Sequence, residues 1–207
     1  MEISKPKLRG VLHEIAFYVS LVTGPILVAV ARAGSIAATA IYSVAMSALF
    51  GISALYHRPT WRPAVQRWLG RLDHSMILIF TAATFTPIAL ALESDWSRIA
   101  LVVVWCGALL ATIVGLLPLD LPKQFAVIPY LVLGWFGISL FPASFSELGI
   151  APPGLLLLGG LLYTMGALAY ARRKPNPSPS FGYHEVFHAF VVLAAYVHYG
   201  AVAATVA

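Results

Sequence analysis

Two short segments hold most of the side chains able to do chemistry, Ser-Ala-Leu-Tyr-His ending at His57 and His-Glu-Val-Phe-His spanning His184 to His188. Ser53 and His57 are four residues apart, so on a helix they share one face about 6 Å apart along the axis. His184 and His188 have the same spacing and present two imidazole nitrogens to one point. Asp73, in Arg-Leu-Asp-His, adds a carboxylate. Three imidazoles with a water or carboxylate as fourth donor make the composition of a catalytic-type zinc site. A His pair at this spacing is, taken alone, more often a solvated helix-end feature. What sets these five residues apart is the background in which they stand.

That background is apolar. Of 207 residues, 60% are hydrophobic and 10% charged, against roughly 25% charged in an average globular chain. Seven stretches lack Asp, Glu, Lys and Arg altogether: 15–31, 33–57, 74–92, 99–119, 124–146, 148–171 and 186–207. About 20 apolar residues span a bilayer as a helix, so the chain is expected to be an all-α integral membrane protein. It reads as a single seven-helix transmembrane domain over 1–207, with helices at roughly 13–32, 35–57, 73–92, 98–118, 124–142, 153–172 and 184–206. The same lengths argue against an outer-membrane barrel, whose strands would be alternating segments of roughly 10 residues. No internal repeat supports an inverted-repeat transporter. Ser43, Ser47, Gly51 and Ala54 recur along the second helix and suit a close helix–helix contact. The lone Cys106 reads as a small packing residue.

The net charge of +5 does not point to nucleic acid once its members are placed. Lys5, Lys7 and Arg9 precede the first helix; Arg58, Arg62, Arg67 and Arg71 join the second to the third; Lys123 follows the fourth; Arg172, Arg173 and Lys174 follow the sixth. Those eleven lie on one side, and Arg32 and Arg98 alone lie on the other. The asymmetry puts the N-terminus in the cytoplasm and the C-terminus outside. The basic tail before the first helix lacks a small-residue cleavage site and is expected to be retained. In this orientation His57 ends the second helix, Asp73 opens the third and His184 and His188 open the seventh, all at the cytoplasmic level. Ionisable residues at membrane depth are costly enough to be functional candidates.

Ser-Ala-Leu-Tyr-His, then Arg-Leu-Asp-His-Ser-Met-Ile-Leu-Ile-Phe-Thr-Ala-Ala-Thr-Phe-Thr-Pro, then Gly-Tyr-His-Glu-Val-Phe-His with a later His-Tyr-Gly resemble the three signature segments of the hemolysin III family. These are bacterial relatives of the progestin and adipoQ receptors within the wider CREST superfamily. The resemblance runs through all seven helices. It implies a multi-pass protein of the bacterial plasma membrane with a cytoplasmic N-terminus and a zinc ion held by His57, His184 and His188. It further implies that Asp73 reaches the zinc through a water and that Ser53 lies beside the site. One departure falls in helix one, where many relatives carry Thr-His-Gly and the nearest segment here is Ser20-Leu21-Val22.

His-Glu-x-x-His is also the zincin pattern, with Glu185 in the position of a general base. On a helix Glu185 lies about 100° round from His184, and it reads here as a surface or supporting residue. His198 is about 15 Å deeper than His188 and is expected to make an interhelical hydrogen bond. His13 reads as an interfacial, solvated residue, Glu14 as a carboxylate at a helix N-terminus and His74 as support for the site. Trp61, Trp68 and Trp96 fit an aromatic belt.

The function expected from these residues is hydrolysis of a lipid amide or ester, with Asp73 accepting a proton and Ser53 holding the carbonyl or the water. The partners are membrane lipid, including a lipid substrate, and no nucleic acid. The alternatives are a membrane-state sensor or receptor-like regulator with structural zinc, or the haemolysin or pore-forming activity that the family name suggests. The chain shows no amphipathic, export-ready segment for the last of these. Orientation is tested directly: a reporter fused after Ala207 should be active outside the cytoplasm and one inserted at 175–180 inside it. The reverse pattern would overturn the cytoplasmic placement of the site.

Overall fold

A computed structural model of the chain describes residues 6–117 and 128–207. Lys5, Lys123, residue 118 of the expected fourth helix and 124–127 of the expected fifth lie outside the described residues. The helices are α1 (Val11–Val30), α2 (Ile36–His57), α3 (Pro63–Leu90), α4 (Asp95–Leu116), α5 (Ile128–Phe136), α6 (Phe141–Glu147), α7 (Ala151–Arg172) and α8 (Tyr183–Val206). A 3₁₀ turn, Gly137–Leu140, joins α5 to α6, so that Ile128–Glu147 forms one span. Seven helical spans are long and apolar enough to cross a membrane, and no strand occurs among the described residues.

The largest departure from the expected boundaries is at α3, which starts ten residues before Asp73. Arg67 and Arg71 leave the hydrocarbon but do not interrupt a helix, and Pro63 stands at its first position, where a missing N–H costs nothing. At 28 residues and 1.5 Å per residue, α3 is about 42 Å long, more than the roughly 30 Å hydrocarbon core. Asp73 therefore sits within the helix, three turns from its start, and not at its opening. Pro25 and Pro87 lie inside α1 and α3.

Consecutive helices pack side by side, and α8 closes the bundle by touching α1, α2 and α3. The main core joins Leu27 of α1, Tyr42, Met46 and Phe50 of α2, Phe80 and Ile88 of α3 and Val202 and Val206 of α8. Tyrosine hydroxyls tie α8 in place: Tyr42 donates to the Ala195 carbonyl at 3.3 Å, Tyr196 to that of Ala16 at 3.3 Å and Tyr199 to that of Thr23 at 2.9 Å. Between α1 and α2, Ser20 donates to Ser47 Oγ at 2.9 Å, Ser43 donates to the Gly24 carbonyl at 3.3 Å and Phe17 lies over Gly51. The small residues of α2 thus serve the close contact expected of them. Outer faces remain apolar, as at Val22, Val44, Val102 and Leu110, and suit lipid. Cys106 is exposed on α4, contrary to the expectation of a packing residue.

His198 makes the expected interhelical bond, its Nε2 lying 3.1 Å from the Leu156 carbonyl on α7. Its ring lies so close over Gly159 that any Cβ at that position would collide with it. Gly159→Ala should therefore push His198 off its partner, costing about 1–3 kcal/mol as overpacking does. Thermal unfolding in detergent should show a midpoint several degrees lower, and an unchanged midpoint would refute the contact.

Candidate metal centre

Three helices bring the expected residues to one place. His57 is the last residue of α2, Asp73 lies in α3, and His184 and His188 occupy the first two turns of α8. One ring nitrogen from each of His57, His184 and His188 lies within 4.8 Å of the others, a set that could hold a metal ion. The Nε2 atoms of His57 and His184 are 3.3 Å apart. Asp73 stands outside that mutual set, with Oδ2 3.5 Å from His57 Nε2. Ser53 is buried one turn before His57; its hydroxyl is near enough to act on the Asp73 carboxylate but makes no hydrogen bond of ordinary length.

The start of α8 is fixed locally. Asn176 accepts the Tyr183 N–H at 2.9 Å and donates to the Arg173 carbonyl at 3.0 Å, which ties the Pro- and Ser-rich loop to both helices it joins. Glu185 accepts the Gly182 N–H at 2.8 Å and forms an ion pair with Arg9. A carboxylate in the first helical turn is well placed for the exposed N–H groups there. Glu185 is only 1% exposed, so it is a buried tie between the N-terminal segment and α8 and not a surface residue. With Arg9 on one oxygen and a backbone N–H on the other, it is occupied in structure, which weighs against the zincin reading.

Three further expectations are corrected or refined. His74 is exposed, bonds the Gly70 carbonyl of its own helix at 2.6 Å and lines the cavity beside Asp73. Glu14 lies in the first turn of α1 and pairs with Arg58, next to His57, at 2.6 Å. His13 is no solvated interfacial residue: it is 3% exposed, and its ring stacks on His188 with centroids 3.9 Å apart and planes 4° apart. Helix one thus does bring a histidine to the site, in Leu-His-Glu, a helical turn and more before the Ser20 segment. A signal for it exists in the sequence. His13, Ala16, Ser20, Gly24 and Leu27 form the buried stripe of α1, and the run of small residues at helical spacing has His13 at its head.

A cavity of about 1110 Å³ opens beside the cluster. Arg9, Arg67 and Arg71 line one end and Ile88, Leu156 and His198 the other. From Asp73 to Ile88 is fifteen residues along α3, or about 22 Å, so the cavity extends deep into the bundle. Pockets for small ligands are commonly ~300–1,000 Å³, and this one exceeds that range.

The fold and the cluster together define a multi-pass membrane protein that keeps, inside its helices, a set of imidazoles able to hold a metal. The chain belongs to the haemolysin III family, whose Haemolysin-III related profile matches residues 1–199, and with seven spans it is a protein of the bacterial cell membrane. It is 31% identical over 153 residues to a hemolysin-3 homolog of Bacillus subtilis (strain 168), covering 73% of this chain and 69% of that protein. It is 28% identical over 161 residues to hemolysin-3 of Bacillus cereus, covering 77% and 71%. It is 29% identical over 175 residues to the human monocyte to macrophage differentiation factor, covering 78% and 67%.

Glu185→Gln tests the tie. The variant should unfold at lower temperature, because the amide cannot pair with the Arg9 charge. Thermal unfolding decides it, and a variant as stable as wild type would contradict the tie.

Proposed function

We propose that the chain is a zinc-dependent hydrolase of a lipid amide or ester, with its site on the cytoplasmic side. The observation that carries this reading is the deep apolar cavity that meets the imidazole cluster beside Asp73. A metal serving only as a staple would need no such space.

The donor set suits zinc. Two imidazole nitrogens on one tetrahedral zinc, each about 2.0–2.1 Å from the ion, stand about 3.3 Å apart, the separation found between His57 and His184. His57, His184 and His188 would hold the ion. Zinc supplies a Lewis acid and brings the pKa of a water on it toward about 7. Asp73 is assigned the role of proton acceptor, since its carboxylate lies beside His57 without belonging to the ligand set. Ser53, buried one turn before His57 and close to the Asp73 carboxylate, is assigned to hold the carbonyl or the water. The apolar length of the cavity takes the acyl chain, and the arginines at its other end meet the polar head.

A second reading has one observation in its favour. The ligands come from α2 and α8, which are far apart in sequence, so a bound ion would pin the bundle shut and could serve a membrane-state sensor or receptor-like regulator. Asp73→Asn distinguishes the two. The amide is nearly isosteric but cannot accept the proton, so an enzyme keeps zinc and fold and loses turnover against a panel of ceramides and phospholipids. In a regulator the same variant leaves the cellular readout intact. Metal analysis underlies both: one zinc per chain is expected, and its full retention in a His184→Ala, His188→Ala double variant would end the zinc assignment.

A further inference from the structure

The start of α1 is fitted to the cluster at four successive points. Arg9 pairs with Glu185, the neighbour of His184. Gly10, at φ +80°, lies so close to His57 that a Cβ would come within 2.7 Å of the His57 Cβ. The positive φ and the close approach both call for glycine there. His13 stacks face to face on His188, and Glu14 pairs with Arg58. Each of the three imidazoles is thus held, directly or through its neighbour, by the first turn of α1 or the two residues before it.

His13 is the member that touches a ligand ring face to face. Phe50 packs against it edge-on, with centroids 5.3 Å apart. Its ring nitrogens make no hydrogen bond of ordinary geometry, although the ring lies close to the His188 backbone, and its main contact with the His188 side chain is ring face on ring face. Stacking on a parallel ring fixes the plane of an imidazole, and with it the direction in which its nitrogen points. It also places an electron-rich face over a ring that metal ligation makes electron-poor. We infer that His13 is a positioning residue that sets the ring plane of His188 at the metal centre, and that the first turn of α1 is the clamp that holds the three ligands in register.

This inference rests on reading the cluster as a metal site, and its test separates the two. Zinc affinity and the visible spectrum of the cobalt-substituted protein are measured for wild type, His13→Ala, His13→Leu and His13→Phe, alongside the ring-proton resonances of His188 in metal-free, histidine-labelled protein. Loss of a group that orients a ligand typically lowers metal affinity about tenfold or more. The Ala and Leu variants are expected to show that loss and an altered cobalt spectrum, and Phe, which restores a ring face, to return both close to wild type. Leu fills most of the volume and keeps the comparison open if Ala fails to fold. In the metal-free protein the His188 resonances should lose their ring-current shift in Ala and Leu and keep it in Phe. Wild-type affinity and spectrum in Ala or Leu would overturn the inference, as would a Phe variant no better than Leu. If wild type takes up no metal, the zinc reading fails, and the metal-free resonances still decide whether His13 sets the His188 ring.

Discussion

A polar group inside a bilayer has no water to turn to, and the bundle is arranged around that constraint. Three imidazoles, a carboxylate and a serine hydroxyl lie near one membrane face, and only one another, their neighbours or a bound ion can compensate them. To bring His184 and His188 to His57, α8 has to abandon the bundle edge and touch α1, α2 and α3 together. Its tyrosines and the closely packed alanines on its inner side follow from that position. The Tyr196 and Tyr199 hydroxyls reach α1 carbonyls, while Ala194, Ala195 and Ala201 are fully buried. The cluster thus accounts for the placement of the last helix, and the last helix accounts for the core.

The same arrangement makes the bundle uneven. On the α1–α2 side, helices approach over Ser20, Gly24, Ser43 and Gly51, so the packing is close. On the other side large rings and a broken span stand back from α3. The change from α5 to a 3₁₀ turn at Gly137–Leu140, followed by Pro142 near the start of α6, leaves room beside Phe80, Thr84 and Ile88 for the cavity. Helices in lipid associate through close packing of small residues; the α1–α2 contact uses them in that way, whereas Gly134, Gly137 and Gly160 line the cavity.

Much of this was legible from residue types. Seven charge-free stretches marked the spans because nothing in the chain offsets charges in hydrocarbon, and His57, Asp73, His184 and His188 stood out against them for the same reason. What the sequence hid came from charged or polar residues whose setting is three-dimensional. Arg67 and Arg71 looked like a loop and are helical, because a helix can run past the membrane face. Glu185 could be read as a surface or a supporting residue, and it is the second, buried where Arg9, 176 residues away in sequence, meets it. His13 stood next to a basic tail and so resembled an interfacial residue; only the stripe of small residues behind it tied it to the interior. The break in the fifth span, at a glycine and a proline within an apolar run, had no counterpart in charge or hydropathy.

The cluster joins residue 57 to residue 188, and this has a consequence for how the protein is made. While the ribosome is still delivering the sixth span, His13, Ser53, His57 and Asp73 are already in the membrane with none of their α8 partners. No early fragment holds the complete set of imidazoles that could hold a metal ion. Assembly of the set is therefore a property of the finished polypeptide alone, complete only when synthesis and insertion have run to the last helix.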